Sequence, residues 1–138
     1  MKYFTISEMI HSETAVARKI WNGADLESER NLTALIENVL DPARERYGKA
    51  LRVNSGFRSK ELNGIIRGAT QSQHMRGEAA DLTTDAGPHG NLELAKIIIA
   101  LGKFDQVILE NTPATNLLPA WVHVSWKRNG GNRKEIRK

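Results

Sequence analysis

The spacing of the apolar residues changes near position 50, and this change constrains the fold more than any other feature of the sequence. Up to Tyr47 the apolar side chains recur at intervals of three and four residues, which is typical of amphipathic helices. Beyond Leu51 most of them fall in short runs bounded by glycine and other turn-forming residues, which is typical of strands. This order predicts an α+β fold, with N-terminal helices packed on a small, mostly antiparallel sheet.

The individual elements follow from the same patterns. We expect helices over residues 5–20, 26–47, 60–67 and 91–101, the second with a kink or a fresh start at Pro42. Strands are expected over residues 51–54, 78–83, 105–110 and 121–126, followed by a basic tail from Lys127 to Lys138. A chain of 138 residues has the length of one domain, so residues 1–138 are predicted to form a single domain.

The composition excludes several classes of protein. The absence of cysteine excludes a disulfide scaffold, a cysteine-ligated zinc ribbon and a thiol nucleophile, so any metal ligands must be His, Asp or Glu. No apolar run reaches the ~18 residues of a membrane-spanning helix, and the charged N-terminus does not have the pattern of a signal peptide. The net charge of +4 is too small to indicate a particular partner.

Three residues form the strongest candidate for a chemical site. Asp81 lies among small apolar residues in a predicted strand, where a carboxylate is costly unless it is paired or binds a metal. His123 lies on the opposite strand face from Val122 and Val124, and His74 lies at a loop-to-strand transition. Two imidazoles and one carboxylate are the ligand set of a catalytic zinc ion.

Alternatives to this metal site follow from the same residues. Each histidine would otherwise be a hydrogen-bonded structural residue, and Asp81 would pair with Arg52, Arg58 or Arg76. The other two histidines are not expected to be ligands, because one lies on a polar helix face and the other in a glycine- and proline-containing loop: His11 and His89.

Four segments of the chain resemble, in their order, the M15 family of zinc peptidases. One reads Ser-x-His-x-x-Gly-x-Ala-x-Asp from Ser72 to Asp81, and Trp-Val-His-Val follows at 121–124. Residues 53–59 resemble the family segment that carries a substrate-facing arginine, and residues 104–110 resemble the strand before the last histidine, especially in short phage and prophage members. The resemblance covers residues 51–126. This family includes D-Ala-D-Ala carboxypeptidases and phage L-alanyl-D-glutamate endopeptidases, and it shares its fold with the signalling domain of hedgehog proteins.

The resemblance implies a role for each matched residue. Zinc would be held by His74, Asp81 and His123, and Arg58 would bind a substrate carboxylate or the developing oxyanion. Ser72 is a candidate hydrogen-bond partner of the substrate, or alternatively a hydroxyl that stabilises the turn.

One position departs from the family pattern. Better-known members carry a carboxylate three residues before the final histidine as general base, and here this residue is Ala120. If strands 105–110 and 121–126 form a hairpin with their valines on one face, Glu110 lies on the same side as His123, opposite either Trp121 or His123 itself. Glu110 is therefore the predicted general base, unless it only ends a strand in solvent.

The expected function is zinc-dependent hydrolysis of a peptide bond in the peptidoglycan stem, by a carboxypeptidase or an endopeptidase. Because no export signal is visible, we expect a monomeric phage or prophage endolysin, made in the bacterial cytoplasm and released to the cell wall through a holin. One alternative is a non-catalytic wall-binding module that keeps the metal structurally. The other is a nucleic-acid-binding domain, which has little support because the basic residues do not interleave with aromatic ones.

Overall fold

The computed structural model describes residues 1–138, with six α-helices and one five-stranded sheet. The helices are α1 (Ile6–Ile10), α2 (Glu13–Arg18), α3 (Leu26–Leu35), α4 (Asp41–Tyr47), α5 (Lys60–Ile65) and α6 (Gly87–Leu101). A π-helical turn (Ile36–Leu40) joins α3 to α4, and a 3-10 turn (Gln73–Arg76) precedes β2. The strands are β1 (Leu51–Ser55), β2 (Ala79–Thr84), β3 (Gln106–Glu110), β4 (Trp121–Ser125) and β5 (Glu135–Arg137). No helix is long and apolar enough to span a membrane.

The prediction of one continuous helix over residues 5–20 is wrong, because the chain forms two short helices there. His11 takes an extended conformation between them, and the Ser12 hydroxyl then caps α2 by accepting a hydrogen bond of 3.1 Å from the backbone N–H of Ala15. An N-cap residue needs non-helical backbone angles, so the cap at Ser12 interrupts the helix that the apolar spacing predicts.

The prediction for residues 26–47 is confirmed, including a disturbance before Pro42. Proline has no backbone N–H, so a regular helix cannot continue through it unchanged. Here the backbone N–H of Asp41 bonds to the carbonyl oxygen of Ile36, five residues earlier, within a π-helical turn. The helical segment ends at Gly48, whose φ of 79° lies in the left-handed region that favours glycine.

The strands form a sheet in the order β1-β2-β4-β3-β5, and every pair is antiparallel except β3 with β5. The α+β class with a mostly antiparallel sheet is therefore confirmed. Three differences concern the ends of elements and the tail: α5 ends at Ile65 instead of residue 67, α6 begins four residues before the predicted 91, with Pro88 in its first turn, and the tail contributes β5. Strand β5 has three residues, too few for a pattern to be visible in the sequence.

The two faces of the sheet differ in character. One face packs under the helices and forms the hydrophobic core with α3, α4 and α6. The other face carries the polar residues, because successive side chains of a strand point to opposite sides. The register places Asp81 of β2 and Ile108 of β3 on either side of His123 in β4. This register assembles the candidate site in the middle of the sheet.

Candidate metal centre

The three predicted ligands converge on one point. The Oδ1 atom of Asp81 lies 3.3 Å from His74 Nε2 and 3.0 Å from His123 Nδ1. The two imidazole rings are 5.2 Å apart between centroids and inclined at 67°. One ligand atom from each residue lies within 4.8 Å of the others, and this is the one group of this kind in the structure.

Local backbone geometry brings His74 to the sheet. The Ser72 hydroxyl accepts a hydrogen bond of 3.2 Å from the backbone N–H of His74 and so caps the 3-10 turn. Gly77 ends this turn with a φ of 74° and passes so close to α3 that a Cβ atom there would lie 2.4 Å from the carbonyl oxygen of Ser28. Only glycine fits both requirements, so the Gly77 of the sequence motif fixes the path from His74 into β2.

The position of the proton on the His74 ring makes the cluster of His74, Asp81 and His123 suited to bind a cation. Its Nδ1 atom lies 2.7 Å from the carbonyl oxygen of Gly56, which can only accept a hydrogen bond, so Nδ1 carries the proton of the neutral ring. The lone pair of Nε2 therefore faces the Asp81 carboxylate, and two acceptors 3.3 Å apart need a proton or a metal ion between them. Such an outer hydrogen bond to a backbone carbonyl is typical of metal-binding histidines.

Asp81 is shared between the histidines and an arginine. Its second oxygen, Oδ2, lies 3.4 Å from Arg58 Nη2, and the side chains of both residues are largely buried. The predicted alternative of an Asp81–arginine pair is thus confirmed for Arg58, and it coexists with the metal ligands. Burial raises the pKa of Asp81, but the contacts of its carboxylate with the imidazoles of His123 and His74 outweigh this effect and hold its pKa well below the usual range. Asp81 is therefore an anion, as a metal ligand must be.

Arg58 is held in place by further contacts. Its Nε atom donates to the Ser55 hydroxyl at 3.0 Å, and its Nη1 atom donates to the Asn63 side-chain oxygen at 3.3 Å. The other two arginines considered as partners of Asp81 pair elsewhere, with Asp85 and Glu78 respectively: Arg52 and Arg76. The guanidinium of Arg58 is therefore fixed beside the metal ligands.

The metal ligands open into a cleft of about 460 Å³. The three other predicted site residues also line it: Arg58, Ser72 and Glu110. Glu110 lies opposite Trp121, which is one of the two predicted registers and puts Glu110 and His123 on the same face. The hydroxyl of Ser72 has the predicted turn-stabilising role, while its contact with substrate stays a prediction, as do the catalytic roles of Arg58 and Glu110.

The sequence interpretation missed several residues of the cleft. Trp121 and Gln106 are neighbours of predicted site residues and share the outward strand face, so strand alternation was a signal for them. The basic residues Lys127 and Arg133 of the tail also line the cleft, and no local pattern indicated this. The two histidines not expected to bind metal are exposed and lie outside the cleft: His11 and His89.

A centre with three protein ligands and access to a cleft is of the open type that catalytic zinc sites use. His74, Asp81 and His123 fit zinc in number and in atom type, and their roles as its ligands stay a prediction. The family model described as Peptidase M15 matches residues 2–125, and the chain therefore belongs to this peptidase family.

One curated relative is the zinc D-Ala-D-Ala carboxypeptidase of Streptomyces albus G. It is 48% identical to this chain over 48 residues, which are 35% of the chain and 18% of the relative. The chain thus matches less than a fifth of that protein's length.

Proposed function

We propose that this protein is a zinc peptidase that hydrolyses a peptide bond in the stem of bacterial peptidoglycan. The observation that carries the proposal is the convergence of His74, Asp81 and His123 at one point of an open cleft. Membership of the M15 peptidase family supports the reaction, and the relative named for its action on D-Ala-D-Ala supports the substrate.

The chain supplies the predicted metal ligands together with the neighbouring groups that hold them in position. When bound, zinc supplies a Lewis acid that polarises a carbonyl oxygen and makes water acidic enough to ionise near neutral pH. Gly56 fixes the tautomer of His74, and Arg58 fixes Asp81, so the ligands need little rearrangement to bind the metal.

Glu110 would act as the general base of this reaction. Its side chain lines the cleft on the face of His123, two residues along β3 from Ile108, and it makes no ion pair with the protein. There it would accept a proton from the attacking water and later donate it to the leaving amine. This assignment supplies the carboxylate that the chain does not have at Ala120.

The planar guanidinium of Arg58 borders the same cleft and would bind a substrate carboxylate or the oxyanion. The Ser72 hydroxyl would complete the substrate contacts on this side of the cleft. We further propose that the protein is a monomeric phage or prophage endolysin that reaches the wall through a holin. The similarity of residues 104–110 to short phage members supports this part of the proposal.

Digestion of purified peptidoglycan by the zinc-loaded protein, followed by mass spectrometry of the muropeptides, tests the proposal. Loss of a terminal D-Ala would identify a carboxypeptidase, and cleavage within the stem an endopeptidase. His123→Ala is the matched control and should release nothing. The second candidate, a wall-binding module with a structural metal, is favoured by Ala120. It predicts that the protein sediments with peptidoglycan but leaves every muropeptide intact.

A further inference from the structure

A buried carboxylate lies beside the cleft, outside the metal centre. Asp105 immediately precedes β3 and has 0% of its surface exposed. Arg133 donates three hydrogen bonds to it, from its backbone N at 2.9 Å, from Nε at 3.2 Å and from Nη2 at 2.9 Å. Gln73, the neighbour of His74, donates a fourth at 3.1 Å. Burial raises the pKa of Asp105, but the hydrogen bonds from Arg133 and Gln73 outweigh this and hold it at about 2.

This carboxylate fixes the basic tail against the sheet. The backbone N–H of Glu135 donates to the carbonyl oxygen of Asp105 at 2.9 Å, and β5 then pairs with β3. Lys127 also approaches, with its Nζ atom 3.8 Å from Asp105 Oδ1. Lys127 and Arg133 of this segment are thus a wall of the cleft, because both residues line it.

The wall carries an excess of positive charge. Lys127 and Arg133 share the negative charge of Asp105, and the nearby Glu135 is paired with Arg137, so one positive charge is not neutralised. Arg133 uses Nε and Nη2 for Asp105, which leaves Nη1 as a donor, and Lys127 has two further N–H donors. Their side chains are 47% and 34% exposed, so both groups remain accessible from the cleft.

The register of β3 places this charge at one end of the site. Gln106, Ile108 and Glu110 share the cleft face, and Ile108 lies opposite His123. Two residues of a strand span about 7 Å, so Gln106 and Glu110 lie roughly that far to either side of Ile108. Asp105 and its cations lie at the Gln106 end. The site therefore has an acidic end at Glu110 and a cationic end at Lys127 and Arg133.

We propose that Lys127 and Arg133 form a carboxylate-binding subsite that selects stem peptides with a free carboxylate on the D-glutamyl residue. The proposal rests on the proposed function, because it deepens the substrate of that same cleft. The cationic end lies about two residues of extended strand along β3 from the position opposite His123, so this subsite faces a group that is separated from the scissile bond by a similar length of peptide. In a stem cut between its two D-Ala residues, two residues separate the D-glutamyl residue from the scissile bond. A carboxylate next to that bond would instead reach Arg58, which lies beside Asp81.

Two synthetic pentapeptides test the subsite: L-Ala-γ-D-Glu-L-Lys-D-Ala-D-Ala and the same peptide with D-isoglutamine in place of D-glutamate. Amidation removes the charge and changes the shape very little. The wild-type protein should favour the free carboxylate in kcat/KM by about tenfold or more, as expected for hydrogen bonds to a charged group. Lys127→Gln should bring this ratio close to one, with unchanged zinc content.

Lys134→Gln is the matched control, because it removes the same charge from the same segment but does not line the cleft. It should keep the wild-type ratio. An equal loss of activity on both peptides in Lys127→Gln would show a structural role and overturn the subsite. A wild-type ratio in Lys127→Gln would overturn it as well.

Calorimetric binding of both peptides to zinc-loaded Glu110→Gln separates this inference from the proposed function. Tighter binding of the free carboxylate that Lys127→Gln abolishes, without hydrolysis by the wild-type protein, would retain the subsite and refute the peptidase. Hydrolysis of both peptides with no preference in rate or binding would retain the peptidase and refute the subsite. Neither hydrolysis nor preferential binding would refute both.

Discussion

The two faces of the sheet are built from alternate residues of the same strands, yet they have opposite properties. On the helix-covered face Leu82, Val107, Val122 and Val124 have 0% of their surface exposed. On the cleft face the same strands carry two predicted metal ligands and the predicted base: Asp81, His123 and Glu110.

This difference shows how a small sheet can be both stable and reactive. Leu82 adjoins Asp81 in the chain, and Val122 and Val124 flank His123, so the buried side chains hold the backbone from which the ligands project. Burial on one face fixes the register, because a shift of one residue would exchange the two faces. Substitutions of sequence neighbours should therefore have separable effects, on stability for one face and on metal binding and catalysis for the other.

The largest effect is expected from removal of a ligand on the cleft face. His123→Ala should reduce the zinc content from about one ion per chain to a small fraction and abolish hydrolysis, because two protein ligands do not make a stable zinc site. His74→Ala and Asp81→Ala should behave alike. Zinc content by atomic emission and the circular dichroism spectrum, which should stay that of a folded protein, are the measurements.

The exposed histidines provide the matched controls for this experiment. His11→Ala and His89→Ala should retain the wild-type zinc content, because neither side chain lies in the cleft. Full zinc occupancy in His123→Ala would contradict the metal centre described here.

Loss of the predicted base should leave the metal and the core intact. Glu110→Gln should bind zinc and fold as the wild-type protein does, but hydrolyse peptidoglycan more slowly by a factor on the order of 10²–10⁴, the usual contribution of a general base. The rate should be compared at equal zinc content. Unchanged activity would transfer the role of base to another group and would leave Ala120 without a substitute.

A substitution on the helix-covered face should have the opposite signature. Leu82→Ala removes a fully buried side chain next to Asp81 and should lower the free energy of unfolding by about 2–5 kcal/mol. Below its unfolding transition the variant should keep its zinc and its activity per folded molecule. Urea unfolding and activity assays on the same sample measure both, and loss of zinc from the folded protein would show that the faces are not independent.

The sequence predicted which residues form the candidate site better than it predicted where helices are interrupted. The types and order of His74, Asp81 and His123 are local features, and strand alternation is enough to put Glu110 and His123 on one face. The break at His11 was missed because the hydroxyl of Ser12 as a helix cap competes with an apolar spacing that continues through it.

Contacts between distant parts of the chain were the hardest to predict. The pair of Arg58 and Asp81 was one of three arginine alternatives, and only the packing of β1 beside β2 selects it. The contact of Arg133 with Asp105 joins residues 28 positions apart, and it depends on a parallel strand of three residues that has no visible pattern. The cationic end of the cleft therefore required the tertiary structure.

Asp105 does not fit the contrast between a buried apolar face and a polar cleft face, since it is charged and completely buried. Its folded pKa of about 2 lies below the ordinary value of 3.8, so the charged form stabilises the folded state above about pH 4. This stabilisation should disappear as the pH falls from about 4 to 2, because the folded state then also binds the proton. Asp105→Asn should accordingly be less stable than the wild-type protein by about 2 kcal/mol at pH 7, and the difference should shrink towards zero near pH 2. Urea unfolding of both proteins between pH 7 and pH 2 measures the difference in their free energies of unfolding. A difference that does not change with pH would assign the role of Asp105 to its shape rather than to its charge.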